Sequence, residues 1–121
     1  AADVLATVRS GGLKTALLTR NAREAMETVL GRFPELDFDL TFSRESGPIK
    51  PEPDGILRAC RELGIAPGRT ACVGDFRYDI VAAKAAGAVA VLLAPGERPD
   101  FADAADFVIR ELGELLKVLR L

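Results

Sequence analysis

Apolar residues recur along this chain with two spacings that alternate. "ADVLATVRS" (2–10) sets Val4, Leu5 and Val8 on one helical face and is stopped by Gly11-Gly12. "KTALLT" (14–19) is a short continuous apolar run, the pattern of a parallel strand buried on both faces. "AREAMETVLGRF" (22–33) returns to helical spacing, with Ala25, Met26, Val29 and Leu30 as its inner stripe and Asn21 as its N-cap. "DLTFS" (39–43) predicts a second strand. "RESGPIKPEP" (44–53) predicts a loop, because its prolines and glycine break both periods. A helix is expected over 54–64, with Ile56, Leu57, Cys60 and Leu63 facing inward. A strand follows over 70–74, a helix over 78–87 and a strand over 88–94. After a loop come a short strand, "DFVI", and a closing helix, "ELGELLKVLRL".

Strands that alternate with helices predict an α/β fold, a parallel sheet with helices on both faces. No repeat or linker interrupts the 121 residues, so a single domain over 1–121 is expected. Right-handed crossovers bring the carboxyl ends of all the strands to one edge, where ligands of such sheets bind. The residues that directly follow each strand are therefore the candidates for chemistry.

Composition narrows the chemistry. Hydrophobic residues make up 49% and charged residues 28%, ordinary values for a globular chain. A net charge of −2 offers no footprint for nucleic acid, and no apolar run is long enough to span a membrane. Without a visible secretory signal, a cytoplasmic location is expected, with Cys60 and Cys72 as buried reduced thiols. There is no His, which removes Ser-His-Asp and Cys-His catalysis and every His-based metal site.

Three groups follow successive strands. Asp75 ends the strand "TACVG", and Asp79 lies one turn into the next helix, so both carboxylates can aim at one point. Two carboxylates without His or thiolate suit Mg²⁺. Thr19 follows "KTALL" beside Arg20 and Asn21, at a helix start whose N–H groups favour an anion. Lys50 lies in the loop after "DLTFS", stiffened by Pro51 and Pro53. Plainer roles are open to each: Asp75, Thr19 or Asn21 as helix caps, and Lys50 as solvated surface. Taken together, a hydroxyl, an ammonium and a carboxylate pair at one sheet edge are what phosphoryl transfer needs.

"KTALLTRN", "GPIKPEP" and "ACVGDFRYDIVAAKAAGAVAVLL" resemble, in order and spacing, the second, third and fourth motifs of the haloacid dehalogenase (HAD) superfamily. The texture is most similar to its phosphoglycolate-phosphatase-like branch, over residues 1 to about 95. The resemblance implies a three-layer Rossmannoid core and a Mg²⁺-dependent phosphohydrolase that acts on a small phosphomonoester through an aspartyl-phosphate. It implies that Thr19 binds phosphate, that Lys50 neutralises nucleophile and phosphate, and that Asp75 and Asp79 hold Mg²⁺. Family members often carry Asn directly after the Thr; here Arg20 intervenes, and either Arg20 or Asn21 is the phosphate contact.

The family's first motif, a buried strand that ends in Asp-x-Asp, has no counterpart at the required place. The resemblance puts it, with the cap that selects the substrate, upstream of Ala1, so these residues are expected to be the C-terminal portion of the core. The central strand is then missing, and the chain alone is expected to be inactive until a missing segment or partner strand completes it. "DFDLT" (37–41) imitates the motif. Pro34 cannot donate within a central strand, however, and Glu35 would be buried unpaired. Asp37 and Asp39 are therefore expected before a strand, at the wrong edge. The alternative is a non-catalytic binding or regulatory module on the same scaffold, which would have no need to keep Thr19, Lys50, Asp75 and Asp79 together. A phospho-receiver domain fits poorly, because "KTALLT" has no acidic cluster.

Overall fold

The computed structural model describes residues 2–19, 22–34, 36–43 and 53–120. Helix α1 (Ala2–Ser10) leads to strand β1 (Ala16–Leu18), helix α2 (Arg23–Arg32) and strand β2 (Leu40–Phe42). Then come α3 (Asp54–Leu63), β3 (Ala71–Gly74), α4 (Arg77–Ala86), β4 (Val89–Leu93), β5 (Phe107–Ile109) and a one-turn α5 (Leu115–Val118). Helices α3 and α4 end at Gly64 and Gly87, whose φ values of 69° and 79° are left-handed, a conformation that glycine adopts without steric cost.

Every strand pair is parallel, as the alternating pattern predicts. The ladder is divided, however. β1 pairs with β2, and β3-β4-β5 form a second sheet, with no ladder between β1 and β3 among the described residues. The two flanking strands have not closed on each other. They still share a core, because Leu18 of β1 and Cys72 of β3 pack against one cluster built from α3, α4 and β4.

β4 separates the helical layers. Ala90 and Leu92 face α3 and α4, where they meet Ile56, Cys60, Ile80 and Ala83. Val91 faces the other way, onto Ile109 and Leu115, with Val4 of α1 packed alongside. Period-two alternation in a strand buried on both faces produces these three layers.

Two helices depart from their apolar patterns. Of the stripe expected on α2, only Met26 is buried, while Val29 is exposed. The cap position of α2 falls on Ala22, with no side-chain cap, and Asn21 lies outside the described residues. The closing helix is cut to a 3₁₀ turn at Leu112–Glu114 followed by α5. Glu114 Oε1 accepts the N–H groups of Arg110 at 3.0 Å and Glu111 at 3.2 Å, which fixes the tight entry.

The amino edge is fastened twice by the same device. Asp39, just before β2, donates its N–H to Thr15 O at 2.9 Å. Its Oδ2 accepts the N–H of Thr15 at 2.7 Å, and Arg9 of α1 lies 3.3 Å from Oδ1. Asp106, just before β5, donates to Ala90 O at 2.9 Å, accepts the N–H of Ala90 at 2.8 Å and pairs with Lys84 of α4 at 2.9 Å. In both places one aspartate satisfies both main-chain groups of a residue on or directly before the neighbouring strand and joins a helix to it.

The Thr15 N–H first, and then the Arg9 charge, hold the Asp39 carboxyl below the ordinary aspartate value of 3.8. The Ala90 N–H and then Lys84 do the same for Asp106. Depressed carboxyls stabilise the fold above their unfolded value, and the effect is lost as pH falls through the folded value. Asp39→Asn and Asp106→Asn should therefore melt below the unsubstituted chain at pH 7. The differences should shrink as the pH is lowered below about 4, as thermal melts across that range will show.

Candidate active site at the carboxyl edge

At the opposite edge, Thr19 directly follows β1 and is half-buried. Its N–H donates to Phe42 O at 3.0 Å, which keeps the ends of β1 and β2 level. Ser43, next after β2, is the one buried polar side chain among the described residues. The sequence pattern places Ser43 inside the strand expected over 39–43 and gives it no role, whereas the strand ends at Phe42 and Ser43 follows it.

β3 ends at Gly74, and α4 starts at Arg77 with Phe76 at its cap position. Asp75 is thus exposed in the intervening turn and does not cap the helix. Asp79, in the first turn of α4, supplies the cap contact by reaching back. Its Oδ2 accepts the N–H of Asp75 at 3.2 Å and that of Phe76 at 3.1 Å. The bond to Phe76 satisfies one of the donors that an α-helix leaves open at its start, and the helix dipole favours the negative charge there. Asp79 is therefore tied to the main chain of Asp75 across one tight turn.

The donor set suits a hard divalent cation. Mg²⁺ takes oxygen ligands and is commonly held by one or two carboxylates, with water and phosphate oxygens completing its shell. Among the described residues no larger group of Asp, Glu, Cys or His gathers anywhere. Gly74 leaves the room that the Asp79 side chain fills, since a Cβ at Gly74 would collide with it. Arg77, between the two aspartates, lies 3.9 Å from Asp100 and 5.7 Å from the Phe101 ring, and so ties the loop after β4 to this turn. Phe76 and Tyr78, both exposed, meet edge to face with centroids 5.2 Å apart.

Lys50, Arg20 and Asn21 lie outside the described residues. Asp37 and Asp39 lie at the amino edge. Asp39 is bonded to Thr15 as described above, and Asp37 reaches Arg9 at 3.7 Å. "DFDLT" is thus a fastening of α1, β1 and β2, as its flanking residues predict. Among the described residues no helix is long and apolar enough to cross a membrane.

The family model for haloacid dehalogenase-like hydrolases matches residues 1–87. The phosphoglycolate phosphatase of Escherichia coli K12 is 34% identical over 129 aligned positions, covering 99% of this chain and 50% of that protein. PpaX of Caldanaerobacter subterraneus subsp. tengcongensis, named provisionally as a pyrophosphatase, is 34% identical over 130 positions, covering 98% of this chain and 56% of the relative. The crystal structure of a HAD phosphatase from Thermococcus onnurineus superposes with a TM-score of 0.88 at 34% identity, covering 97% of this chain and 55% of that one. The chain spans about half the length of these relatives.

The separation of the two edges is open to a direct check. Asp39→Asn should lower the urea midpoint, and Asp37→Asn should barely move it, because an exposed pair contributes little. Neither substitution should change how the midpoint responds to millimolar Mg²⁺. Loss of that response in either variant would move the cation site to the amino edge.

Proposed function

Since the chain belongs to the haloacid dehalogenase-like hydrolases, we propose that it supplies the phosphate-binding and metal-binding half of a Mg²⁺-dependent phosphohydrolase acting on a small phosphomonoester. The observation that carries this reading is the Asp75–Asp79 turn at the carboxyl end of β3, on the same edge as Thr19. That E. coli and Mannheimia succiniciproducens relatives are phosphoglycolate phosphatases supports small phosphorylated metabolites as the substrate class.

Each group has a role in this reading. Thr19 donates its hydroxyl to a phosphate oxygen, and Arg20 or Asn21, next in sequence, is a further phosphate contact. Lys50 sets an ammonium against the same phosphate, which stabilises the charge that develops as the phosphoryl group transfers. Asp75 and Asp79 hold Mg²⁺, which when bound neutralises phosphate charge and orients the group for in-line attack. None of these side chains is the nucleophile. An aspartate would attack phosphorus and form an aspartyl-phosphate as the ester P–O bond breaks and the alcohol leaves; water would then hydrolyse it, releasing inorganic phosphate and restoring the carboxylate. The division of the sheet supports a place for that aspartate on a strand lying between β1 and β3, contributed from outside these residues. Such a strand would pair main-chain groups along β1 and β3 and make one continuous sheet.

Two measurements test the reading. Mg²⁺ should raise the melting temperature by mass action, and Asp75→Asn should abolish the rise without unfolding the chain. An unchanged melt of the unsubstituted chain at millimolar Mg²⁺ would count against the site. The 121-residue chain alone should not hydrolyse a small phosphomonoester, and a form carrying the central strand should. In that complete form Lys50→Met should cost about 10²–10³-fold in kcat, whereas Arg44→Met costs little. Mg²⁺-dependent turnover by the isolated chain, lost in Asp37→Asn, would make "DFDLT" the nucleophile motif after all.

A further inference from the structure

In the β3–α4 turn, two successive main-chain N–H groups converge on a single oxygen. Those of Asp75 and Phe76 both donate to Asp79 Oδ2. The carboxylate that follows Asp75 by one helical turn therefore holds the peptide units on either side of the Asp75 Cα. Gly74 makes this possible by its lack of a side chain. A Cβ at Gly74 would overlap Cβ, Cγ and Oδ2 of Asp79. Backbone conformation is not what demands glycine here: Gly12, Gly64 and Gly87 have left-handed φ values, and Gly74 does not. What demands it is the space that Asp79 occupies.

We propose that Gly74 and Asp79 are a positioning pair for Asp75. Asp79 folds back into the room above Gly74, fixes the N–H groups of Asp75 and Phe76, and so aims the exposed Asp75 carboxylate at the cation. The proposal rests on the reading of Asp75 as a cation ligand and adds a separate claim: the main-chain bonds made by Asp79 contribute to cation affinity independently of its charge. A carboxylate held by a fixed main chain loses less freedom on binding than one on a loose turn. Partners that orient a ligand in this way typically contribute tenfold or more to metal affinity.

The test uses the ¹⁵N-labelled chain and its Gly74→Ala, Asp79→Ala and Asp79→Asn variants. Amide exchange is followed without metal, and Mn²⁺ is titrated by its paramagnetic broadening. The amide of Asn keeps a carbonyl oxygen that can accept both N–H bonds while losing the charge. In Gly74→Ala and Asp79→Ala, exchange at Asp75 and Phe76 should speed up while Ala90 stays protected, and Mn²⁺ should bind about tenfold more weakly. Asp79→Asn should keep the two amides slow and bind Mn²⁺ more tightly than Asp79→Ala. Unchanged exchange in Gly74→Ala and Asp79→Ala would overturn the assignment. So would accelerated exchange with undiminished Mn²⁺ affinity, or equal Mn²⁺ losses in Asp79→Asn and Asp79→Ala. If the unsubstituted chain bound no Mn²⁺, the cation reading of Asp75 would fall and the pair's role toward it as well.

Discussion

Burial of β4 on both faces is the constraint on which the rest of the structure depends. Ala90, Val91 and Leu92 are fully buried, and they belong alternately to the two core clusters. Full burial of a Val or Leu side chain contributes about 1.5–3 kcal/mol each, against about 0–1 kcal/mol for an exposed ion pair. The apolar layers therefore dominate the stability, and the polar contacts at the strand ends fix position more than they add energy. α4 is pressed onto one face of β4, and through it the β3–α4 turn is held at the carboxyl edge. The small residues of α4, Ala82, Ala83 and Ala86, let helix and strand approach closely.

Around this core one piece of chemistry recurs with different consequences. A carboxylate accepts main-chain N–H groups at Asp39, Asp106, Asp79 and Glu114. At the amino edge Asp39 and Asp106 are also met by a cation from a helix, Arg9 and Lys84, so the charge is spent on structure. At the carboxyl edge Asp79 fastens the turn that carries Asp75, on the side of the sheet where parallel strands present ligands. Which end of a strand an aspartate occupies decides whether it is a fastening or part of a candidate site. Residue type and local spacing do not.

Most of the secondary structure was legible along the chain, because helical and strand periods alternate cleanly and Gly64 and Gly87 mark two helix ends. The nearness of Asp75 and Asp79 was legible too, since four-residue spacing at a strand–helix junction leaves little geometric freedom, but the bond from the Asp75 main chain to the Asp79 carboxylate was not. The placement of Asp37 and Asp39 ahead of β2, at the amino edge, was legible from Pro34 and Glu35, which a central strand could not accommodate. The weak burial of α2 and the shortening of the last helix were not legible, because an apolar stripe gives no measure of the surface available to cover it.

The order of elements and the parallel α/β layering were thus determined by the sequence alone, through local sterics and the periodicity of burial. Tertiary structure alone decided contacts between distant residues. It set Asp39 on Thr15 and Asp106 on Ala90, divided the sheet between β1 and β3, and buried Ser43 beside the end of β1. It also showed that Gly74 is required by the side chain of Asp79 and not by its own backbone. The reason is physical: periodicity reports which way a side chain faces, and only packing determines what is there to meet it.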